Sequence, residues 1–194
     1  PEPRGPNSNA LRKLVVGSVV SLALVGGGFA LGRATAPEDQ PSAAGAPTAS
    51  NAPDDAANLL QVALELHRAG DLNAATQAYQ AVLDVKPDDQ FALYNLGLIS
   101  QTNGDNAGAI EWYTRALAVD PAMTAALYNR GLAYRDADRL DESIVDLRAA
   151  LAADPANAAV MYNLGNVLIA NGSVDEGTDL IDQAVTLDPS LRGD

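Results

Sequence analysis

Residues 91–121, FALYNLGLISQTNGDNAGAIEWYTRALAVDP, carry a pattern that recurs with a constant step of 34 residues. Leu93-Tyr94-Asn95 returns as Leu127-Tyr128-Asn129 and Met161-Tyr162-Asn163, Gly97 as Gly131 and Gly165, and Ala116 as Ala150 and Ala184. Pro121 belongs to a longer series, Pro87, Pro121, Pro155 and Pro189, whose members each follow an Ala/Leu-rich run. Ladders sharing one period exclude coincidence, and a period of this length is the signature of stacked helix pairs. Residues 93, 96, 97 and 100 share one face of a first helix, and 109, 113 and 116 one face of a second, so each pair can bury its stripes together. Glycine inside a helix costs roughly 1 kcal/mol against alanine, so Gly97, Gly131 and Gly165 imply close helix crossing. Gly70-Asp71, Gly104-Asp105 and Gly172-Ser173 suit a left-handed C-cap and turn, and Asp138-Arg139 fills the same place without glycine. The prolines stop each second helix and push Lys86, Asp120, Asp154 and Asp188 towards extended backbone. The sequence thus predicts eight helices in four antiparallel pairs, with turns near 70–72, 104–106, 138–140 and 172–174.

At these residues the chain resembles the tetratricopeptide repeat family. Repeat two fills the family's slots with Leu93, Leu96, Gly97, Ala109, Tyr113, Ala116 and Pro121, departing only at Ser100. Repeat three keeps Leu127, Gly131, Tyr134, Ala150 and Pro155 but has Arg130 in the leucine slot and Ser143 in the small slot. Repeat four keeps Met161, Leu164, Gly165, Gly177, Ile181, Ala184 and Pro189. Repeat one, with Leu59, Val62, Ala63, Leu66, Ala75, Tyr79, Val82 and Pro87, matches least. The resemblance covers about residues 56–191 and implies an all-α, right-handed solenoid of four repeats at 56–89, 90–123, 124–157 and 158–191.

Ahead of the repeats, Leu14 to Leu31 is uncharged and flanked by Arg12-Lys13 and Arg33. At 1.5 Å per residue this run spans about 27 Å, close to the hydrocarbon thickness. Residues 14–32 are expected to form a transmembrane signal anchor. A cleaved signal is the alternative, through Ala34 and Ala36, although Arg33 and Pro37 disfavour processing. Arg4, Arg12 and Lys13 against Arg33 alone place the tail, residues 1–13, in the cytoplasm and the repeats outside it, in the periplasm of an inner-membrane protein. Residues 33–55 are rich in Pro, Ala, Ser, Thr and Gly and read as a disordered tether with a reach of roughly 25–30 Å. Gly17, Ser21, Gly28 and Gly32 fall on one face of the anchor and suggest a homodimer contact.

From residue 56 onward there are 8 Lys/Arg and 20 Asp/Glu, so the repeats carry a net charge of −12 of the chain's −13. A phosphate-binding surface needs the opposite sign, so nucleic acid is excluded as a partner class and a neutral or basic protein or peptide is favoured. The chain has no cysteine and one histidine, His67, which lies beside no recognisable nucleophile. No phosphate-cradling motif occurs, and Asp136, Asp138, Asp141 and Glu142 lack the spacing of a calcium loop. No catalytic residue, cofactor or metal is expected.

A second stripe runs beside the core stripe of each first helix: Ala57, Leu60, Leu64, His67; Phe91, Tyr94, Leu98, Gln101; Ala125, Tyr128, Leu132, Arg135; Ala159, Tyr162, Asn166, Ile169. In the resembled family this stripe lines a concave peptide groove. The expected groove residues are Leu60, Leu64, Phe91, Tyr94, Asn95, Leu98, Tyr128, Asn129, Leu132, Tyr162, Asn163 and Asn166. The tyrosines and asparagines either serve a peptide or pack neighbouring repeats together. A family subtype grips a terminal carboxylate with Lys, Arg and Asn; here Leu60, Leu64, Ala125 and Asn129 occupy four of those places and only Asn95 matches. The reading is a membrane-tethered adaptor for envelope assembly, the alternative being an accessory subunit of an enzyme or a fragment of a longer catalytic chain.

Overall fold

The helices fall where the ladders place them. A computed structural model describes residues 52–192, which form α1 (Ala52–Arg68), α2 (Leu72–Val85), α3 (Gln90–Thr102), α4 (Asn106–Val119), α5 (Thr124–Asp136), α6 (Leu140–Ala153), α7 (Ala158–Ala170) and α8 (Val174–Leu187), closed by a 3-10 turn at Pro189–Leu191. Consecutive helices pair as α1/α2, α3/α4, α5/α6 and α7/α8, and each pair stacks on the next. Among the described residues there is no strand, and no helix is long and apolar enough to cross a membrane. The tail, the anchor at 14–32 with its small-residue face and most of the tether lie outside the described residues. The tether was expected to run to residue 55, whereas α1 begins at Ala52, with Asp54 and Asp55 in its first turn facing the positive end of the helix dipole.

All four turns within the pairs close identically. The amides of Asp71, Asp105, Arg139 and Ser173 donate to the carbonyls of Leu66, Ser100, Tyr134 and Leu168 at 2.8–3.1 Å, the outer bond of a Schellman motif. Such a turn requires a left-handed residue. Gly70, Gly104 and Gly172 have φ between +77 and +92, and Asp138 takes the same conformation at φ +59. Asp71 and Asp105 then cap the following helices by accepting from Ala74 N and Gly108 N. At the other end of each second helix, Lys86, Asp120, Asp154 and Asp188 have φ of −128 to −136 and ψ of 83 to 94, the extended backbone that the next proline imposes.

The helix crossings explain the buried glycines. A Cβ on Gly97 would stand 2.5 Å from the Tyr113 ring, and one on Gly165 would stand 2.6 Å from the Gly177 carbonyl. Repeat three breaks the small-residue rule with Ser143, which is fully buried and donates its hydroxyl to the Gly131 carbonyl at 2.7 Å. Its other departure, Arg130 in the leucine slot, is answered by Asp146 across the α5/α6 pair. Nε donates to Oδ2 at 2.6 Å and Nη2 to Oδ1 at 2.8 Å, while Nη1 donates to Thr114 on α4 at 3.1 Å. Arg130 and Arg139 also sit over the Tyr134 ring.

The end repeats are solvated in the same register. Ala92, Leu96 and Ile99 of α3 pack on repeat one, and the matching places in α1 are Asn58, Val62 and Glu65, all exposed. At the far end, exposed Thr178 holds the place of buried Ile144, and Asn166 that of Leu132. A solenoid needs polar faces on its terminal repeats, and this composition also explains why repeat one matched the pattern least.

The Arg130–Asp146 couple yields an asymmetric prediction. Arg130→Leu alone strands the Asp146 carboxylate, which is 5% exposed, and should cost about 3 kcal/mol in denaturant unfolding. Leucine at both positions reproduces the Leu164/Leu180 arrangement of repeat four and should recover wild-type stability or exceed it. A double variant no better than the single one would refute the pairing.

Candidate peptide-binding groove

The second stripe lies along α1, α3, α5 and α7, and its residues divide into those spent on the fold and those left to a ligand. Two tyrosines and two asparagines form a ladder between neighbouring first helices. Asn129 Nδ2 donates to Tyr94 Oη at 2.9 Å, and Asn163 Nδ2 donates to Tyr128 Oη at 3.0 Å, each reaching from one repeat to the one before. Tyr94 is almost fully buried with its ring 5.7 Å from Tyr113, and burial pushes its hydroxyl up to about 12, so it stays protonated. Asn95 and Asn166 turn back on their own helices, donating to the Phe91 and Tyr162 carbonyls at 2.8 Å. The packing alternative recognised in the sequence therefore accounts for the bonds of Tyr94, Asn129, Tyr128 and Asn163.

The apolar members are more available. Phe91 is 38% exposed, and Leu60, Leu64 and Leu98 are half-buried. Leu132 is buried among residues of α6 and α7. Tyr162 is half-buried on α7.

A second set of bonds was not read from the sequence. In repeats one and two the last-turn residue of the first helix meets the tyrosine slot of its own second helix: Tyr113 Oη donates to Gln101 Oε1 at 3.0 Å, and His67 Nδ1 lies 3.2 Å from Tyr79 Oη. In repeat three that slot is Leu147, and Arg135 turns across the groove to donate from Nη1 to Asn163 Oδ1 at 2.9 Å. The signal was present as Arg135 in the stripe, but only the loss of the tyrosine at 147 shows what the arginine is released to do. Burial lowers the His67 pKa, and the nearby Asn95 side chain opposes the shift.

Charge is segregated. The stripes contain one permanent cation, Arg135, and no carboxylate. The acids concentrate on the second helices and turns, with Asp175, Glu176, Asp179 and Asp182 all on α8. The net charge of −12 therefore describes the domain and not the groove.

The pattern of the tetratricopeptide repeat family matches residues 60–124, 101–147 and 128–191. The chain belongs to the tetratricopeptide repeat family. Similar solved structures share its fold at low identity. MamA from Desulfovibrio magneticus RS-1 superposes with a TM-score of 0.65 at 23% identity, covering 72% of this chain and 79% of that one. PilF of Pseudomonas aeruginosa gives 0.62 at 22% identity, over 73% of this chain and 66% of that one. The first repeat domain of Spaghetti (RPAP3), solved with the HSP90 peptide SRMEEVD, gives 0.59 at 21% identity, over 61% and 94%. No curated protein matches the sequence.

In this family member the single histidine supplies a pH test. Because the folded state lowers the pKa of His67 from its ordinary value of 6.5, the unfolded chain binds the proton more readily, and stability must fall as pH drops below that value. His67→Gln installs the residue that repeat two pairs with Tyr113. Melting curves between pH 7 and 5 should show the wild type losing stability relative to this variant. Parallel curves would contradict the assignment.

Proposed function

We propose that the protein is a non-catalytic adaptor, held at the inner membrane by residues 14–32, that binds protein segments in its concave groove on the periplasmic side during envelope assembly. The observation that carries the binding reading is the division of the stripe. The bonds of the Tyr–Asn ladder hold the repeats in register, and Phe91, Leu60, Leu64 and Leu98 remain to receive apolar side chains of an extended segment. Tetratricopeptide repeats are in general non-catalytic protein-binding scaffolds, and the RPAP3 domain, of the same fold, was solved with a peptide. Membrane attachment and orientation rest on the uncharged run and its basic flank. Nucleic acid remains a poor partner because the domain's charge is of the wrong sign.

The test places a photocrosslinking residue at Leu98 or Leu64 in the full chain within membranes, with Val145 as control, since it is 67% exposed on α6 away from the stripe. Discrete adducts should form from the two groove positions and disappear when Phe91 and a second groove leucine are changed to serine, with helix content retained. Equal adducts from Val145 would remove the groove as the site. A reporter active only in the cytoplasm, fused after Asp194, should be silent in the same cells, and activity there would reverse the proposed orientation.

A further inference from the structure

Two arginines on α5 make different use of the same guanidinium edge. Arg130 presents Nε and Nη2 to Asp146, and each nitrogen takes its own oxygen, at 2.6 and 2.8 Å. Arg135 presents the same edge to Asp136, its neighbour in sequence, but both nitrogens converge on one oxygen, Oδ1, at 2.9 Å. Only the Nε contact is a hydrogen bond. Nη2 is buried and not aligned with that oxygen or with any other acceptor. Adjacent positions on a helix do not face each other, so Asp136 cannot present both oxygens to the edge as a carboxylate from another element can. The rest of Arg135 is fixed. Its side chain is 17% exposed, and Nη1 is held by Asn163, which also donates to Tyr128 and to the Ala159 carbonyl. Asp136, at 33% exposure, can turn to solvent.

We propose that the Nε and Nη2 edge of Arg135 receives the carboxylate of an Asp or Glu side chain within a bound segment, with Asp136 acting as its placeholder in the free protein. This rests on the groove reading above and adds to it the chemistry of the occupant. Leu132, one turn before Arg135, is buried in the core, whereas Leu98, at the matching place of repeat two, is half-buried on the stripe of the neighbouring first helix. The preferred segment is therefore extended, with an acidic residue about three positions from an apolar one. An internal acid is the source rather than a chain terminus, because the stripe continues past Arg135 onto α7 with Tyr162, Asn166 and Ile169, so an extended segment runs through this position. The absence of carboxylates from the stripe allows this choice in spite of the acidic outer surface.

The test is selection from a random-peptide display library, with every peptide flanked on both sides by fixed sequence, on the full chain in detergent. The wild type should enrich peptides with an acid near an apolar residue. Arg135→Gln should reduce the preference for Glu over Gln about three- to tenfold while keeping the apolar preference. Asp136→Asn, which removes the placeholder and leaves the guanidinium, should strengthen the acidic preference. Enrichment without an acidic preference, or one that survives Arg135→Gln unchanged, would overturn the proposal and leave the groove intact. Enrichment that ignores Phe91→Ser and Leu98→Ser would overturn the groove and the proposal together.

Discussion

The whole stack depends on how closely two helices of a pair approach at their crossing. Gly97, Gly131 and Gly165 stand where a single added carbon would overlap the partner helix, and at Gly165 the obstacle is backbone, the Gly177 carbonyl. That close approach fixes the position of each second helix against the first. The second helix in turn carries the surface on which the next repeat sits, with Ile144 and Leu147 meeting Leu164, Val167 and Leu168. The groove is a product of this geometry, since its stripe lies along four first helices that the crossings hold side by side.

Polar groups enter this apolar scaffold only as matched couples. Ser143 replaces a small apolar residue and finds the Gly131 carbonyl, while Arg130 replaces leucine and finds Asp146. Asn129 and Asn163 find tyrosine hydroxyls one repeat back. A buried polar atom without a partner costs free energy comparable with several apolar contacts, and each of these groups has one. Arg135 is the exception. Its edge is half satisfied, and it lies on the stripe rather than in the core.

The fold was legible in the sequence because its determinants are local and repeated. Proline stops, left-handed turns and glycine crossings act within one 34-residue unit, and four copies average out departures such as Asp138. What was not legible was the pairing of one departure with another. Arg130 in a leucine slot is visible in the sequence, but the residue that answers it, Asp146, lies 16 residues away on the next helix. The candidate groove was legible as a set of positions but not as a division of labour. Tyr94 and Asn129 are 35 residues apart and bond across repeats, a relation fixed by the stacking of repeats rather than by spacing within one.

Alanine at a helical glycine position puts helix propensity and packing in direct opposition. Propensity favours Gly165→Ala by about 1 kcal/mol. The new Cβ, however, would lie 2.6 Å from the Gly177 carbonyl and 2.7 Å from Ile181, where backbone cannot move aside cheaply. If the crossing distance governs the fold, equilibrium denaturation of Gly165→Ala should show a net loss of about 1–3 kcal/mol. A gain of about 1 kcal/mol, as propensity alone would give, would contradict it.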